Sequence, residues 1–443
     1  MKLKKSGQIL LALAVSLGLS FGLTSCFTSY TVGYLYITGA QYNQIGGFKI
    51  TNTTGHLTPI RGLPLGSGGS NPIRMAVSAS GRYLYVLNSG TPSAPGANGN
   101  FTYTSASISV FSVGGDGTLA PQQTYTSQGY GSIRMGLSIS GSYLYVLDEY
   151  APSAGQDSSG NPLIASTTPG PGMSCRDSAG LYHPTGDITV FAVDENTGRL
   201  SLITNNQLQT PTGGQLTYFP VGCQPIDFKI TGGYVLTADT DDPVTGNHYT
   251  VFPYAINNTS GQLTTTQNSE FVTGAASISA IGSDQATKYI YILDPVGNQI
   301  WYYTVGQQGL LQAVTTSPTS NASSHAGNPI QLTTDSKSLF LYVANAGPSG
   351  ISKPNSDISA YNISPSNGAL SPLAQAPFGT GSSPQCILED PSNQWLYTAD
   401  HDTNTVTGHA LDPASGVLTN LTKQTTYPTV GNPTFCVADG HTD

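Results

Sequence analysis

One short apolar run constrains this chain more than any other feature, because it returns along the whole sequence. The copy at residues 83–88 reads YLYVLN, and the copy at residues 143–148 reads YLYVLD. The seven copies begin at Tyr34, Tyr83, Tyr143, Tyr234, Tyr289, Phe340 and Trp395. Runs this short and this rich in Tyr, Val and Ile are typical of β-strands rather than helices. A unit that repeats seven times at a period of roughly 50 residues predicts a seven-bladed β-propeller.

Each copy is followed by two further signals that complete a blade. A second strand-like run comes first, as in ISVFSV at residues 108–113, and a turn of the form Gly-x-Leu comes next. The glycines of these turns are Gly55, Gly117, Gly198, Gly261, Gly309, Gly368 and Gly416. Strands joined by such turns form hairpins. With an inner strand before each Tyr-rich run, the sequence predicts an all-β fold of four-stranded blades.

The order of the strands also predicts how the ring closes. In five units the inner strand begins at a proline, where no ladder bond is yet required of the missing N–H. These prolines are Pro72, Pro225, Pro329, Pro384 and Pro433. The last inner strand, which ends at Asp439, has no unit after it, and the first unit at Tyr34 has no inner strand before it. We therefore expect the C-terminal strand to pair with the N-terminal blade, which would leave no open blade at the seam.

The N-terminus has the pattern of an export signal rather than of a folded segment. Lys2, Lys4 and Lys5 precede an apolar stretch that ends in LTSC at residues 23–26. The pattern resembles the bacterial lipoprotein signal, which implies cleavage before Cys26 and a lipid on its thiol. An ordinary signal peptide with an incidental cysteine is the alternative. The predicted boundaries are 1–25 for the signal peptide, 26–32 for the lipidated linker and 33–443 for the propeller.

Charge and composition limit the partners of the mature chain. Removal of the three signal lysines leaves 12 of the 15 basic residues against 24 acidic residues. This balance argues against nucleic acid, whose binding needs a basic surface. Attachment to a membrane would come from the lipid on Cys26. Phe27, which follows Cys26, favours the outer membrane of a bacterial cell envelope, with the protein on the periplasmic or the exposed side. The sequence contains no G-x-S-x-G, H-E-x-x-H or phosphate-loop motif, and we expect no cofactor.

Four cysteines remain in the mature chain, and an even count in an exported protein favours disulfides. Three pairings are possible. Cys175 lies in a long loop, residues 149–186, and Cys223 lies at the start of the next blade on the same face, so we prefer this pair. Cys386 and Cys436 stand two and three residues after the leading prolines of adjacent blades. Their opposite parity directs their side chains toward each other, so we expect a second disulfide at the closing seam.

Polar residues at the start of the inner strands are the first candidates for a binding site. The equivalent positions are Arg74, Arg134, Asp227, Ser279, Gln331, Cys386 and Phe435. Arg74 and Arg134 fall in adjacent blades, so their guanidinium groups could bind one carboxylate or phosphate. The alternative is that both arginines bridge blades. Asp227 and Gln331 are the other predicted ligand-binding residues of this set.

A second set of polar residues ends the Tyr-rich strands on the same face. Six of the seven strands end in Asp or Asn, at Asn88, Asp148, Asp239, Asp294, Asn345 and Asp400. The simpler interpretation is that these side chains cap the following turn. We nevertheless assign Asp148 to ligand binding, because Glu149 follows it. A hard cation could be held by Asp239, Asp241 and Asp242 with Asp400 and Asp402, but no calcium-loop spacing supports it, so no metal site is predicted. His401 could bind the ligand or act as a base.

These motifs, repeated over about residues 31–439, resemble those of the seven-bladed lactonase propellers, such as the propeller type of 6-phosphogluconolactonase and the muconate-cyclising enzymes. The resemblance implies a lactonase-like hydrolase whose site uses His, Arg and Glu on this face. Asp148-Glu149 matches the Asn-Glu of the family. Arg134 stands where the family has a histidine, and Gln224-Pro225-Ile226 replaces its His-Pro-His.

Two hypotheses of different classes follow. In the first, the protein hydrolyses a sugar lactone or a similar small ester ring, with Glu149 activating water and with Arg74 and Arg134 stabilising the oxyanion. In the second, it is a non-catalytic propeller that binds a small ligand or a protein partner at the cell envelope. The missing histidines favour the second hypothesis, and the resemblance favours the first.

Overall fold

The computed structural model describes most of the mature chain. The described residues are 29–91, 106–152, 163–170, 172–177, 179–210, 213–240, 248–265, 270–323, 327–348 and 356–440. The predicted signal peptide and Cys26 lie outside them. Within them, the only helix is one 3-10 turn, Gln307–Gly309, and no helix is long and apolar enough to span a membrane.

Seven antiparallel sheets surround a central channel, which confirms the seven-bladed propeller. The inner strands of blades 1 to 7 are Pro433–Asp439, Pro72–Val77, Tyr130–Leu137, Pro225–Ile230, Ala280–Ser283, Pro329–Thr334 and Pro384–Glu389. The Tyr-rich second strands are Thr31–Gly39, Tyr83–Asn88, Tyr143–Tyr150, Tyr234–Thr240, Tyr289–Asp294, Phe340–Asn345 and Trp395–Asp400. The second strands are almost wholly buried, because they pack against the neighbouring blades on both faces.

The third and fourth strands lie farther from the channel. The third strands are Gln44–Thr51, Ser107–Val113, Asp187–Val193, Tyr249–Ile256, Gln299–Val305, Asp357–Ile363 and Thr405–Leu411. The outer strands are Leu57–Pro59, Leu119–Thr126, Leu200–Leu202, Leu263–Thr265, Leu311–Ala313, Leu370–Pro372 and Leu418–Asn420. In six blades a further short strand pairs with the third strand, namely Leu65–Gly66, Phe219–Pro220, Phe271–Val272, Thr319–Ser320, Phe378–Gly379 and Thr426–Pro428. Blades therefore have four or five strands.

Two smaller hairpins lie outside the seven sheets. Cys175–Arg176 pairs with Tyr182–His183, and Asn205–Gln209 pairs with Gln215–Leu216. The first hairpin belongs to the long loop between the second and third strands of blade 3. Loops of this kind leave from the face of the disc at which the inner strands begin, here called the upper face.

The ring closes as the sequence predicts. The inner strand of blade 1 is the C-terminal strand, which pairs antiparallel with Thr31–Gly39, so that Ile37 stands opposite Cys436. Each inner strand contacts the inner strands of both neighbouring blades. Both predicted disulfides are present, Cys175–Cys223 and Cys386–Cys436, with Cα separations of 5.5 Å and 5.7 Å. The second disulfide joins blade 7 to blade 1 and so holds the seam.

The repeated motif has a physical role between blades. The first aromatic ring of each second strand packs on the Gly of the Gly-x-Leu turn in the next blade. A Cβ on any of the seven glycines would lie 2.4 to 2.9 Å from that ring, and all seven have φ between 65° and 83°. Glycine alone accepts both conditions. The motif at residues 83–88 and the Gly-x-Leu turn therefore form one inter-blade contact, which repeats around the ring.

Five of these contacts also carry a hydrogen bond. The tyrosine two residues after this first aromatic residue donates its hydroxyl to the glycine carbonyl of the next blade. The pairs are Tyr36 with Gly117, Tyr145 with Gly261, Tyr291 with Gly368, Tyr342 with Gly416, and Tyr397 with Gly55. In blade 2 the equivalent Tyr85 hydroxyl is buried and has no partner within the described residues.

The strand register corrects one sequence assignment. A bulge after the first residue of the inner strand places Arg74 opposite Leu87 in blade 2. In blade 5, Ala280 stands opposite the corresponding Leu293. Ala280 is therefore the residue equivalent to Arg74, and Ser279 precedes it. The sequence alignment is wrong by one residue here.

Candidate functional site: the central channel

Two of the cavities along the channel share one waist. The upper chamber, about 510 Å³, opens toward the upper face and lies among the first residues of the inner strands. Its polar walls include Arg74, Arg134, Ser279, Gln331, Gln385 and His401. The lower chamber, about 460 Å³, lies among the later residues of the same strands. Arg74, Arg134 and Gln331 line both chambers and so form the waist between them.

Arg134 and Asp227 form an ion pair at the waist. Arg134 Nε donates to Asp227 Oδ1 over 2.7 Å, and the two side chains are 20% and 10% exposed. Asp227 also accepts the backbone N–H of Phe228 at Oδ1 and of Ile281 at Oδ2, over 2.8 Å and 3.0 Å. Three donors, one guanidinium and two backbone N–H groups, thus occupy the oxygens of this carboxylate.

Arg74 stands beside this pair without a carboxylate of its own. Its Nη1 donates to the carbonyl of Ile73 over 2.7 Å, and its guanidinium lies 4.8 Å from the centre of the Phe435 ring. Burial, together with the charge of Arg134, lowers the pKa of Arg74 to about 9, while Asp227 opposes this effect. The guanidinium remains charged at neutral pH, and the two arginines leave the waist positively charged.

Gln331 and His401 complete the polar wall of the upper chamber. Gln331 accepts the N–H of Leu332 at its side-chain oxygen, over 3.2 Å, which leaves its amide N–H groups as donors. His401 Nδ1 is 2.7 Å from Asp402 Oδ1, and its side chain is 35% exposed. A neutral ring that donates from Nδ1 to a carboxylate keeps its lone pair on Nε2. His401 can therefore accept a proton.

The structure does not bring two predicted residues to these walls. Glu149 lines neither chamber, and its Oε1 accepts the hydroxyl of Tyr150 over 2.8 Å. Asp148 is fully buried in blade 3 and accepts hydrogen bonds from Ser127 and Ser132. Both residues lie on the second strand Tyr143–Tyr150, and the inner strand Tyr130–Leu137 stands between that strand and the channel. Asp148 thus bonds the segment that leads into its inner strand and not the turn that follows its own strand.

Asp148 has an acidic neighbour that sequence reasoning missed. Asp187 stands directly opposite it in the ladder, is fully buried, and has no hydrogen bond of normal geometry within the described part of the chain. Burial raises the pKa of Asp148 to about 6, and burial together with Asp148 raises the pKa of Asp187 well above its usual range. In blade 6 the same ladder position joins Asn345 to Asp357 by a hydrogen bond of 2.8 Å. A count along the third strands would have found the acid pair.

The residues that the structure describes contain no group of three or more His, Cys, Asp or Glu side chains that could hold a metal ion. The cation considered beside Asp400 included Asp241 and Asp242, which lie outside those residues. Asp400 itself is buried and accepts the hydroxyl of Thr407 over 2.6 Å, as a turn-capping residue does.

The fold and the channel define a seven-bladed propeller with a cationic central site, and comparisons with known proteins agree. The sequence model of the lactonase seven-bladed β-propeller family matches residues 251–438, so the resemblance to that family is confirmed. A search of curated proteins finds no match.

Solved structures show the same fold over almost the whole chain. A Bacteroides fragilis protein assigned as a 6-phosphogluconolactonase superposes with a TM-score of 0.62 at 16% identity, covering 94% of this chain and 99% of the other. The periplasmic gluconolactonase of Pseudomonas aeruginosa gives a TM-score of 0.61 at 14% identity, covering 92% and 99%. At these identities the likeness concerns the fold.

Proposed function

We propose that the protein is an exported lactonase-type propeller whose upper chamber binds a small sugar lactone or a similar ring ester. The observation that carries the proposal is the meeting of Arg74 and Arg134 in this chamber. No carboxylate is among the described residues that line it. Guanidinium groups match the planar oxygens of a carboxylate or of a developing oxyanion, so the chamber suits both the ester and its hydroxy-acid product.

Hydrolysis at this site needs a base that the arginines do not supply. Water would attack the lactone carbonyl, the ring C–O bond would break, and the product would be an open hydroxy acid. His401 is the wall residue that we assign to take the proton of that water, because the oxygens of Asp227 already accept from Arg134 and from two backbone N–H groups. We keep Glu149 as the alternative base, although it lines neither chamber. Arg74 and Arg134 would stabilise the tetrahedral oxyanion.

A second function, binding without catalysis, is favoured by the shortage of bases at the waist. Among the described residues that line the upper chamber, His401 is the only His, Asp or Glu, and its side chain is partly exposed. A non-catalytic propeller would use the same arginines to retain a small anion. The two functions differ in turnover and not in the binding residues.

The export part of the proposal rests on the N-terminal pattern and on the disulfides. Disulfides persist in oxidising compartments, and this chain has two. The solved structures at similar TM-scores include a periplasmic gluconolactonase. We propose a lipid on Cys26 that holds the propeller at the outer membrane.

The decisive experiment compares ligand binding and turnover in two arginine variants. Arg74→Gln removes a cation that has no carboxylate within salt-bridge distance in the described structure, so it should fold as well as the wild type. Loss of a charge-assisted hydrogen bond should weaken the binding of gluconate about 10- to 100-fold. Calorimetric titration measures the affinity. Arg82→Gln, at an exposed position away from the channel, is the matched control.

Turnover is measured on a panel of sugar lactones with a pH-stat. A wild-type rate that falls in both Arg74→Gln and His401→Asn supports the hydrolase. Gluconate binding that depends on Arg74, without turnover of any lactone, assigns the second function. If gluconate binds equally to wild type and Arg74→Gln, or does not bind, the proposed site is wrong.

A further inference from the structure

The lower chamber has a cation that the proposed function does not use. Lys229 lies on the inner strand of blade 4, two residues after Asp227, and it lines this chamber. The register places Gly136 and Gly282 at the same level in the flanking blades 3 and 5. Neither Gly136 nor Gly282 has a side chain, and Ile230 and Leu332 of the next blades fill the positions that their Cβ atoms would take. Ala76, Thr333, Leu388 and Val437 complete this level of the ring, where Lys229 is the one charged residue.

The ammonium group of Lys229 takes part in none of the ion pairs or side-chain hydrogen bonds found in the described structure. The nearby carboxylates are already engaged. Asp227 pairs with Arg134, and Asp284 accepts the backbone N–H of Tyr289 over 2.7 Å. Burial lowers the pKa of Lys229, although Asp227 and Asp284 both oppose this effect.

Among the described residues that line the lower chamber, positive charges therefore outnumber negative ones. Its walls carry three cations, Arg74, Arg134 and Lys229, against the two carboxylates Asp227 and Asp284. A buried cation without a partner is costly because the low dielectric of the interior does not replace its hydration. An anion in the chamber would remove that cost, and the 460 Å³ available exceeds what a small oxyanion needs.

We propose that the lower chamber is a second site, which holds a small oxyanion of the phosphate or carboxylate type. Lys229 binds this anion from below the waist. The side-chain amide of Gln331, whose N–H groups are not used within the described structure, reaches the same chamber as a neutral donor. The site shares Arg74, Arg134 and Gln331 with the upper chamber, adds Lys229, and is reached from the opposite face of the disc.

The test is the stabilisation of the purified protein by inorganic phosphate, compared with chloride at equal ionic strength. A ligand that binds only the folded state raises the melting temperature by mass action. We expect phosphate to stabilise the wild type and Lys423→Met equally, since Lys423 is exposed and distant from the channel. Lys229→Met should fold and be at least as stable without phosphate, because a buried charge has gone, but it should lose most of the phosphate response.

Acetate in a parallel titration distinguishes a carboxylate site from a phosphate site, and a Lys229-dependent response to either anion supports the proposal. A phosphate response that survives Lys229→Met overturns it, as does the absence of any response to both anions. Arg74→Gln separates the two chambers. We expect it to lose gluconate binding while it keeps at least part of the phosphate response, so failure of the upper site would leave this result intact.

Discussion

The hydroxyl of Tyr397 offers the sharpest test of how the ring is held together. It donates to the carbonyl of Gly55 in blade 1 over 2.6 Å, and Tyr397 is fully buried. Tyr397→Phe keeps the ring and its packing but leaves that carbonyl without this donor. A neutral hydrogen bond contributes about 0.5 to 1.5 kcal/mol net, and an unpaired buried acceptor adds to the loss, so we expect a cost of about 1 to 2 kcal/mol.

Tyr85 supplies a matched control at the same position of the repeat. Tyr85→Phe removes a hydroxyl that is buried and has no partner within the described structure. Because no hydrogen bond is lost and an unsatisfied polar group is removed, the free energy of unfolding should stay the same or rise by up to about 1 kcal/mol. Urea unfolding at fixed pH, followed by circular dichroism, measures both variants. Equal losses in the two variants, or a larger loss for Tyr85→Phe, would refute the role of the hydroxyl contact.

Three further predictions concern other parts of the chain. Burial raises the pKa of Asp148 to about 6, so the stability that its protonated form contributes is present at low pH and is lost as pH rises through 6. Asp148→Asn, which could donate to Asp187, should abolish this loss, which is on the order of 2 kcal/mol in urea unfolding between pH 4 and 7. An unchanged pH profile would contradict this. Replacing Cys386 and Cys436 by Ser opens a link across 50 residues and should cost about 4 kcal/mol by the chain-entropy model. Reductant should cost the wild type more than this, because it also opens Cys175–Cys223, and should cost the variant only the share of Cys175–Cys223. Cys26→Ser should abolish incorporation of labelled palmitate and release the protein from membranes, whereas labelling that persists would rule out the lipid.

The architecture could be predicted from the sequence because its signals are local and repeated. The aromatic run at residues 83–88 and the glycine of each outer turn recur at a fixed spacing, and both serve one contact between neighbouring blades. The side-chain parity of a strand is a property of the backbone. For that reason the pairing of Cys386 with Cys436 followed from counting residues, and the structure confirms it.

The site depended on positions that no local pattern records. Arg74 and Arg134 were found because they occupy one repeat position, but only the closed ring shows that Asp227 pairs with Arg134 and leaves Arg74 without an acid. Glu149 follows Asp148 in sequence, yet it lies on a second strand and not on an inner strand, so it does not line the chamber.

The sequence by itself thus determined the number of blades, the closure of the ring and the disulfides. Each follows from repetition, from alternation along a strand or from the order of the strands. The tertiary structure alone decided which charges face one another across the channel, including the unpaired ammonium of Lys229. The physical reason is that the channel is enclosed by inner strands roughly 50 residues apart in the chain, so its electrostatics arise only when distant blades close around a common axis.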